Sequence, residues 1–251
     1  MKMTTTEQAL WGRRFHPAPG GASRLICLPH AGGSAPFFLP VSQKLSARFD
    51  VVSVQYPGRQ DRRHEPCVGD LVELARQVFE ALGPWDGPPV ALFGHSMGAT
   101  LGFELARLME TKAGTPPAHL FVSGRRAPSM PRDERVHLLD DKGLLADVRR
   151  LGGADPRVLG DPELLRMALP AIRADYLAAE TYVYRPGPPL SCPITAFTGD
   201  DDPKVTVEEA RAWSAHTTGA FELNVYRGGH FFLAQHQAVI LQKISGYLSL
   251  A

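Results

Sequence analysis

Short apolar runs alternate with longer amphipathic segments along the chain, and the alternation predicts the elements. Leu25–Leu28, Val51–Val54, Val90–Phe93, Leu120–Val122, Ile194–Phe197 and Leu223–Tyr226 read as strands. Val90–Phe93 is apolar without a break, as expected of a strand buried on both faces. Phe37–Leu45, Leu71–Leu82, Ala99–Met109 and Phe232–Tyr247 read as helices between and after them. Strands alternating with helices predict an α/β fold: a mostly parallel central sheet with helices on both faces.

One stretch departs from the alternation. Between about residues 127 and 185 the periodicity is helical and no strand is expected. Leu144, Leu145, Val148 and Leu151 share one helix face, and Leu165, Leu169, Ile172, Tyr176 and Ala179 another. Prolines 128 and 131 border it on one side, and prolines 186, 188, 189 and 193 on the other. The expectation is a helical insertion over the sheet, a candidate lid. Two immobile crossover helices are the alternative. The whole chain, 1–251, is expected to be one domain carrying this insertion.

Charge and cysteine content narrow the function. Lys plus Arg is 27 and Asp plus Glu is 26, a balance that points to neither nucleic acid nor a membrane surface. The N-terminus lacks the apolar core of a signal peptide, and no stretch approaches a membrane span. Three scattered cysteines, Cys27, Cys67 and Cys192, form no CxxC pair. A soluble, cytoplasmic protein is expected, and nothing demands more than a monomer.

The chemistry centres on Gly94-His95-Ser96-Met97-Gly98, a G-x-S-x-G motif between the strand Val90–Phe93 and a helix. That context marks a nucleophile elbow, a sharp turn that exposes a serine hydroxyl where flanking side chains would collide. Ser96 is therefore the candidate nucleophile. In this architecture the partners follow in the order acid, then histidine. Of nine histidines, His16, His30, His64 and His95 precede or adjoin the serine. His119 and His137 precede any late-strand acid, His216 closes a helix, and His236 falls inside the last one. His230, on a loop after Gly228-Gly229, is the candidate general base. The acid is expected in the loop after Ile194–Phe197, where Asp200, Asp201 and Asp202 precede a capping box at Thr206 and Glu209. Asp202 is preferred, although spacing alone does not separate the three. An oxyanion hole needs two N–H donors: Met97 supplies one by position. The Gly-rich loop Pro29–Ser34 offers Ala31 as the second, with His30 as a loop anchor. No metal and no cofactor are expected.

Five segments in order then resemble the stand-alone type II thioesterases of polyketide and nonribosomal peptide synthases. They are Leu28–Gly33, Tyr56–Arg59, Gly94–Gly98, Gly199–Pro203 and Gly228–Phe232. The resemblance implies an α/β-hydrolase that removes acyl groups from the phosphopantetheine arm of acyl or peptidyl carrier proteins through an acyl-enzyme. It also implies that the acid is the aspartate before the proline, Asp202, and that the lid forms the acyl chamber. Arg59, Arg62 and Arg63, with Arg125, Arg126 and Arg132, are candidates to receive an acidic carrier or the pantetheine phosphate, or else are ordinary solvated arginines. Rival readings are a carboxylesterase or lipase with the same triad, an excised chain-terminating thioesterase domain, and a hydrolase fold reused for binding. The early His-Ala-Gly-Gly loop differs from the His-Gly-Gly-Gly type of many esterases. The absence of a preceding carrier domain favours a free-standing protein.

Overall fold

A computed structural model describes residues 5–153 and 160–248 of the chain. The helices are α1 (Thr5–Trp11), α2 (Leu39–Leu45), α3 (Leu71–Leu82), α4 (Met97–Leu108), α5 (Asp141–Leu151), α6 (Pro162–Glu180), α7 (Val207–Arg211), α8 (Phe232–Gln235) and α9 (Gln237–Leu248). The strands are β1 (Gly12–Arg13), β2 (Arg24–Leu28), β3 (Asp50–Val54), β4 (Val90–His95), β5 (His119–Ser123), β6 (Ile194–Gly199) and β7 (Phe221–Tyr226). They form one sheet in the order β1-β3-β2-β4-β5-β6-β7. Every pairing is parallel except β1 with β3.

The pleat sorts the core. Leu25 and Cys27 of β2 face α2 and α9, joining Val41, Phe93, Phe121 and Ile244. Ile26 and Leu28 face the opposite way, toward Leu74, Val78, Leu101 and Leu105 of α3 and α4. Covered on both faces, the central strands β2 and β4 carry unbroken apolar runs, whereas the edge strand β7 is only partly buried and alternates. A third, smaller cluster of Leu144, Val148, Ile172 and Tyr176 joins α5 to α6 above the sheet.

All six predicted strands are present with ends shifted by one or two residues. The short antiparallel β1 and the helix α1 before it were not expected. The closing helix is two helices, broken at His236, whose φ of −108° and ψ of 18° leave the helical region. His236 Nε2 there donates to the carbonyl of Arg227 at 2.8 Å. Among the described residues of the predicted insertion, only helix and irregular backbone occur. The Leu144 face lies on α5 and the Leu165 face on α6. Among the described residues no helix is long and apolar enough to cross a membrane.

Candidate active site

Because β2, β4, β6 and β7 run parallel, the loops that follow them meet at one edge of the sheet. Each predicted site residue lies there. Ser96 sits between β4 and α4 with φ of 54° and ψ of −120°, a conformation costly for a residue with a side chain. Packing enforces it. A Cβ on Gly94 would stand 2.0 Å from the Gly98 carbonyl oxygen, so only glycine lets the turn close. The Ser96 N–H is held by the Ser123 carbonyl at 2.8 Å.

The acid loop and the histidine loop lock together through their backbones. Gly199 lies so close to Gly228 that a Cβ would stand 2.2 Å from its carbonyl oxygen. The Asp201 N–H donates to Gly228 at 3.0 Å, and the Asp200 carboxylate accepts the Gly228 N–H at 2.8 Å. This brings Asp202 and His230 together. His230 Nδ1 lies 3.0 and 2.9 Å from the two Asp202 carboxylate oxygens, and its Nε2 lies 3.0 Å from Ser96 Oγ. A carboxylate only accepts, so Nδ1 carries the hydrogen and Nε2 is left to accept from the serine hydroxyl. The Lys204 N–H donates to Asp202 Oδ1 at 2.8 Å and fixes that carboxylate. Of the three aspartates in the loop, Asp202 alone is buried; Asp200 and Asp201 are exposed.

Two further rings back the site. His95 is fully buried, with Nδ1 3.0 Å from Ser123 Oγ and its ring 5.2 Å from that of His230. His30 stacks edge-on against Phe37 and Phe231, and its Nε2 donates to the Gly153 carbonyl at 3.3 Å. Burial first, then repulsion from His230, holds both imidazoles well below their ordinary pKa, His30 down to about 3. Both are neutral near pH 7, so neither competes with His230 for a proton, and His30 anchors its loop as expected.

Ala31 and Met97 both line the pocket over Ser96, together with Leu151 and Tyr176 from the two upper helices and Phe231 beside the histidine. Met97 opens α4, so its N–H has no partner within the helix. The arrangement can take a proton from Ser96, direct the hydroxyl at a bound carbonyl, and offer N–H groups to the oxygen that gains charge.

The arginines correct one expectation. Arg59 and Arg62 are buried, Arg59 against Asp175 and Arg62 against Glu65 and the Gln55 carbonyl. Arg126 is buried on Glu134, and Arg132 forks onto Glu209. Arg125 bonds Thr100 Oγ1 and the Ala179 carbonyl and lines the pocket. Among the six, only Arg63 stands exposed. The others bind the chain to itself because local carboxylates and carbonyls outcompete water for them. Asp175, the buried partner of Arg59, was not among the residues expected from the sequence. Its signal was an acidic residue set among the apolar positions Ile172, Tyr176 and Ala179 of one helix face.

Fold and site together define a hydrolase with a serine, histidine and aspartate in line. The chain belongs to the thioesterase domain family, which its sequence matches over residues 23–248. It is 52% identical to the thioesterase PikA5 of Streptomyces venezuelae over 243 residues, 96% of this chain and 86% of that one. A solved structure of the type II thioesterase BorB from the borrelidin biosynthetic cluster superposes with a TM-score of 0.90. It is 57% identical, covering 95% of this chain and 98% of that one. The RedJ thioesterase of the prodiginine pathway in Streptomyces coelicolor gives 0.85 at 38% identity, covering 94% of each chain. The protein is an enzyme of the thioesterase class.

Proposed function

We propose that the enzyme hydrolyses acyl thioesters on the phosphopantetheine arm of acyl or peptidyl carrier proteins, clearing stalled or misprimed units from polyketide or nonribosomal peptide synthases. The observation that carries the reading is the line from Asp202 through His230 to Ser96, with 2.9 to 3.0 Å between successive partners. In this reading Ser96 attacks the thioester carbonyl as His230 Nε2 takes its proton. Ala31 and Met97 N–H groups receive the oxyanion, and the thiol leaves with the proton from His230. Water, activated by the same imidazole, then releases the acid from Ser96. Asp202 holds the imidazole tautomer and stabilises its charged form.

Similarity to PikA5 and BorB supports the carrier-bound substrate over a simple ester. We take the insertion expected over residues 127–185, through its described helices α5 and α6, to roof the pocket of a single hydrolase domain. Three free cysteines fit a reducing, cytoplasmic setting, and one protomer suffices for the site. The test presents one short acyl group on a carrier protein, on coenzyme A and as an oxygen ester. Preference for the carrier, abolished in Ser96→Ala, is expected. Equal or faster turnover of the oxygen ester would contradict the substrate assignment.

A further inference from the structure

Helix α6 touches the loop after β2 at one glycine. A Cβ on Gly32, where φ is +75°, would stand 2.9 Å from Ile172 Cγ1. One turn on, Asp175 reaches the same residue. Its Oδ2 accepts the Gly32 N–H at 2.7 Å and an Arg59 Nη1 hydrogen at 2.6 Å, while Oδ1 accepts from Arg59 Nη2 at 2.8 Å. Arg59 Nη1 also donates to the Gly33 carbonyl at 2.9 Å. Behind Ala31, the Tyr56 hydroxyl donates to the Pro29 carbonyl at 3.0 Å. The Gly32 bond pins the Ala31–Gly32 peptide, and the Gly33 N–H, donating to the His30 carbonyl at 2.9 Å, holds the His30–Ala31 peptide; among the described residues Ala31's own N–H donates to nothing.

Both members of the ion pair are buried, Asp175 at 1% and Arg59 at 8% exposure. A pair at this depth is a weak device for stability, since desolvating two charges offsets their attraction and apolar residues of similar volume serve as well. Apolar residues cannot, however, accept the Gly32 N–H or donate to the Gly33 carbonyl. The charged acceptor turns the Gly32 N–H toward α6 and away from the pocket.

We propose that Asp175 and Arg59 are positioning residues: they fix the Pro29–Ala35 loop so that the Ala31 N–H is presented to the Ser96 pocket. Asp175 belongs to α6, so the second oxyanion donor is in place only while that helix is seated. The inference rests on the reading of Ala31 as an oxyanion donor.

The test uses a soluble acyl thioester and an acyl trifluoromethyl ketone, which adds to a serine as a tetrahedral adduct. Asp175→Asn is expected to lower kcat by about 10- to 100-fold, the scale of a misplaced oxyanion donor. KM should move by less than about twofold, and affinity for the ketone should fall by the same factor as kcat/KM. A double variant, Arg59→Met with Asp175→Leu, removes both charges and keeps the volume. It should stay folded, losing only the stability that the unpaired Gly32 N–H and Gly33 carbonyl account for, and remain slow. A double variant with wild-type kcat, or a loss confined to KM in Asp175→Asn, would overturn the proposal. Ser96→Ala separates the two readings. If it keeps activity, the site assignment itself fails; if it is inactive while the Asp175 variants keep kcat, only the positioning role fails.

Discussion

Gly98 packs directly beneath Leu28, so that a Cβ on the glycine would stand 2.0 Å from the Leu28 carbonyl oxygen. Both partners are backbone, one on the nucleophile helix and one at the end of β2, so neither can step aside as a flexible side chain would. Gly98→Ala should therefore push α4 off the sheet, destabilise the fold by about 3 kcal/mol and abolish activity. Gly246 in α9 is the contrast: a Cβ there meets nothing within 4 Å. Gly246→Ala should raise stability by roughly 0.5 to 1 kcal/mol, because alanine loses less freedom in a helix. Chemical denaturation of the two variants checks the pair.

The acid loop makes a second prediction sharp. Asp202 is buried on His230 and held by the Lys204 N–H. Asp201 is exposed, and Asp200 uses its side chain to accept the Gly228 N–H, which an asparagine oxygen can also do. Asp202→Asn should lower kcat by about 10⁴-fold through the wrong tautomer. Asp200→Asn and Asp201→Asn should stay within a fewfold of wild type. Steady-state kinetics on one thioester ranks the three.

Acid should destabilise the protein through His30 and His95. Their folded pKa values lie below the ordinary 6.5, His30 at about 3, because burial disfavours the charged ring. Between about pH 3 and 6.5 the unfolded chain binds a proton at His30 that the folded chain does not, and the window for His95 likewise lies below 6.5. Stability from this source is thus complete above pH 6.5 and falls progressively as the pH drops. From pH 7.5 to 5, His30 should cost about 2 kcal/mol, and His95 acts in the same direction. Urea unfolding at both pH values checks it: the loss in His30→Gln should be smaller than in wild type by that amount.

The six strands and the helices α3, α4, α5 and α6 were legible because burial on two faces writes apolar runs and helical stripes into the sequence. Ser96 and His230 were legible because an elbow and a Gly-Gly loop need particular residues at particular spacings. β1 was not, since two residues, Gly12 and Arg13, carry no period. The break at His236 was not, because a ring bonding a carbonyl nine residues earlier leaves no local mark. The arginines misled for a related reason. A guanidinium reads as surface unless its partner is known, and Asp175 lies 116 positions from Arg59.

Arg62 and Arg63 now predict opposite outcomes. Arg62 is buried, bonding Glu65 and the Gln55 carbonyl, with its guanidinium over the Trp11 ring at 4.1 Å. Arg62→Glu should cost roughly 2 kcal/mol or more of stability by leaving a buried carbonyl unpaired. Arg63→Glu should leave the unfolding temperature unchanged. Any loss it causes should appear with a carrier-bound acyl group and vanish with a soluble thioester. Thermal melts and paired kinetics distinguish the two arginines.

The most direct measurement follows the carrier itself. An acyl-phosphopantetheinyl carrier protein is mixed with catalytic enzyme, and its intact mass is read over time. The account predicts loss of the acyl mass to leave the free thiol form, with no loss above background in Ser96→Ala. A carrier that keeps its acyl group with the wild-type enzyme, or loses it equally fast with Ser96→Ala, would contradict the account.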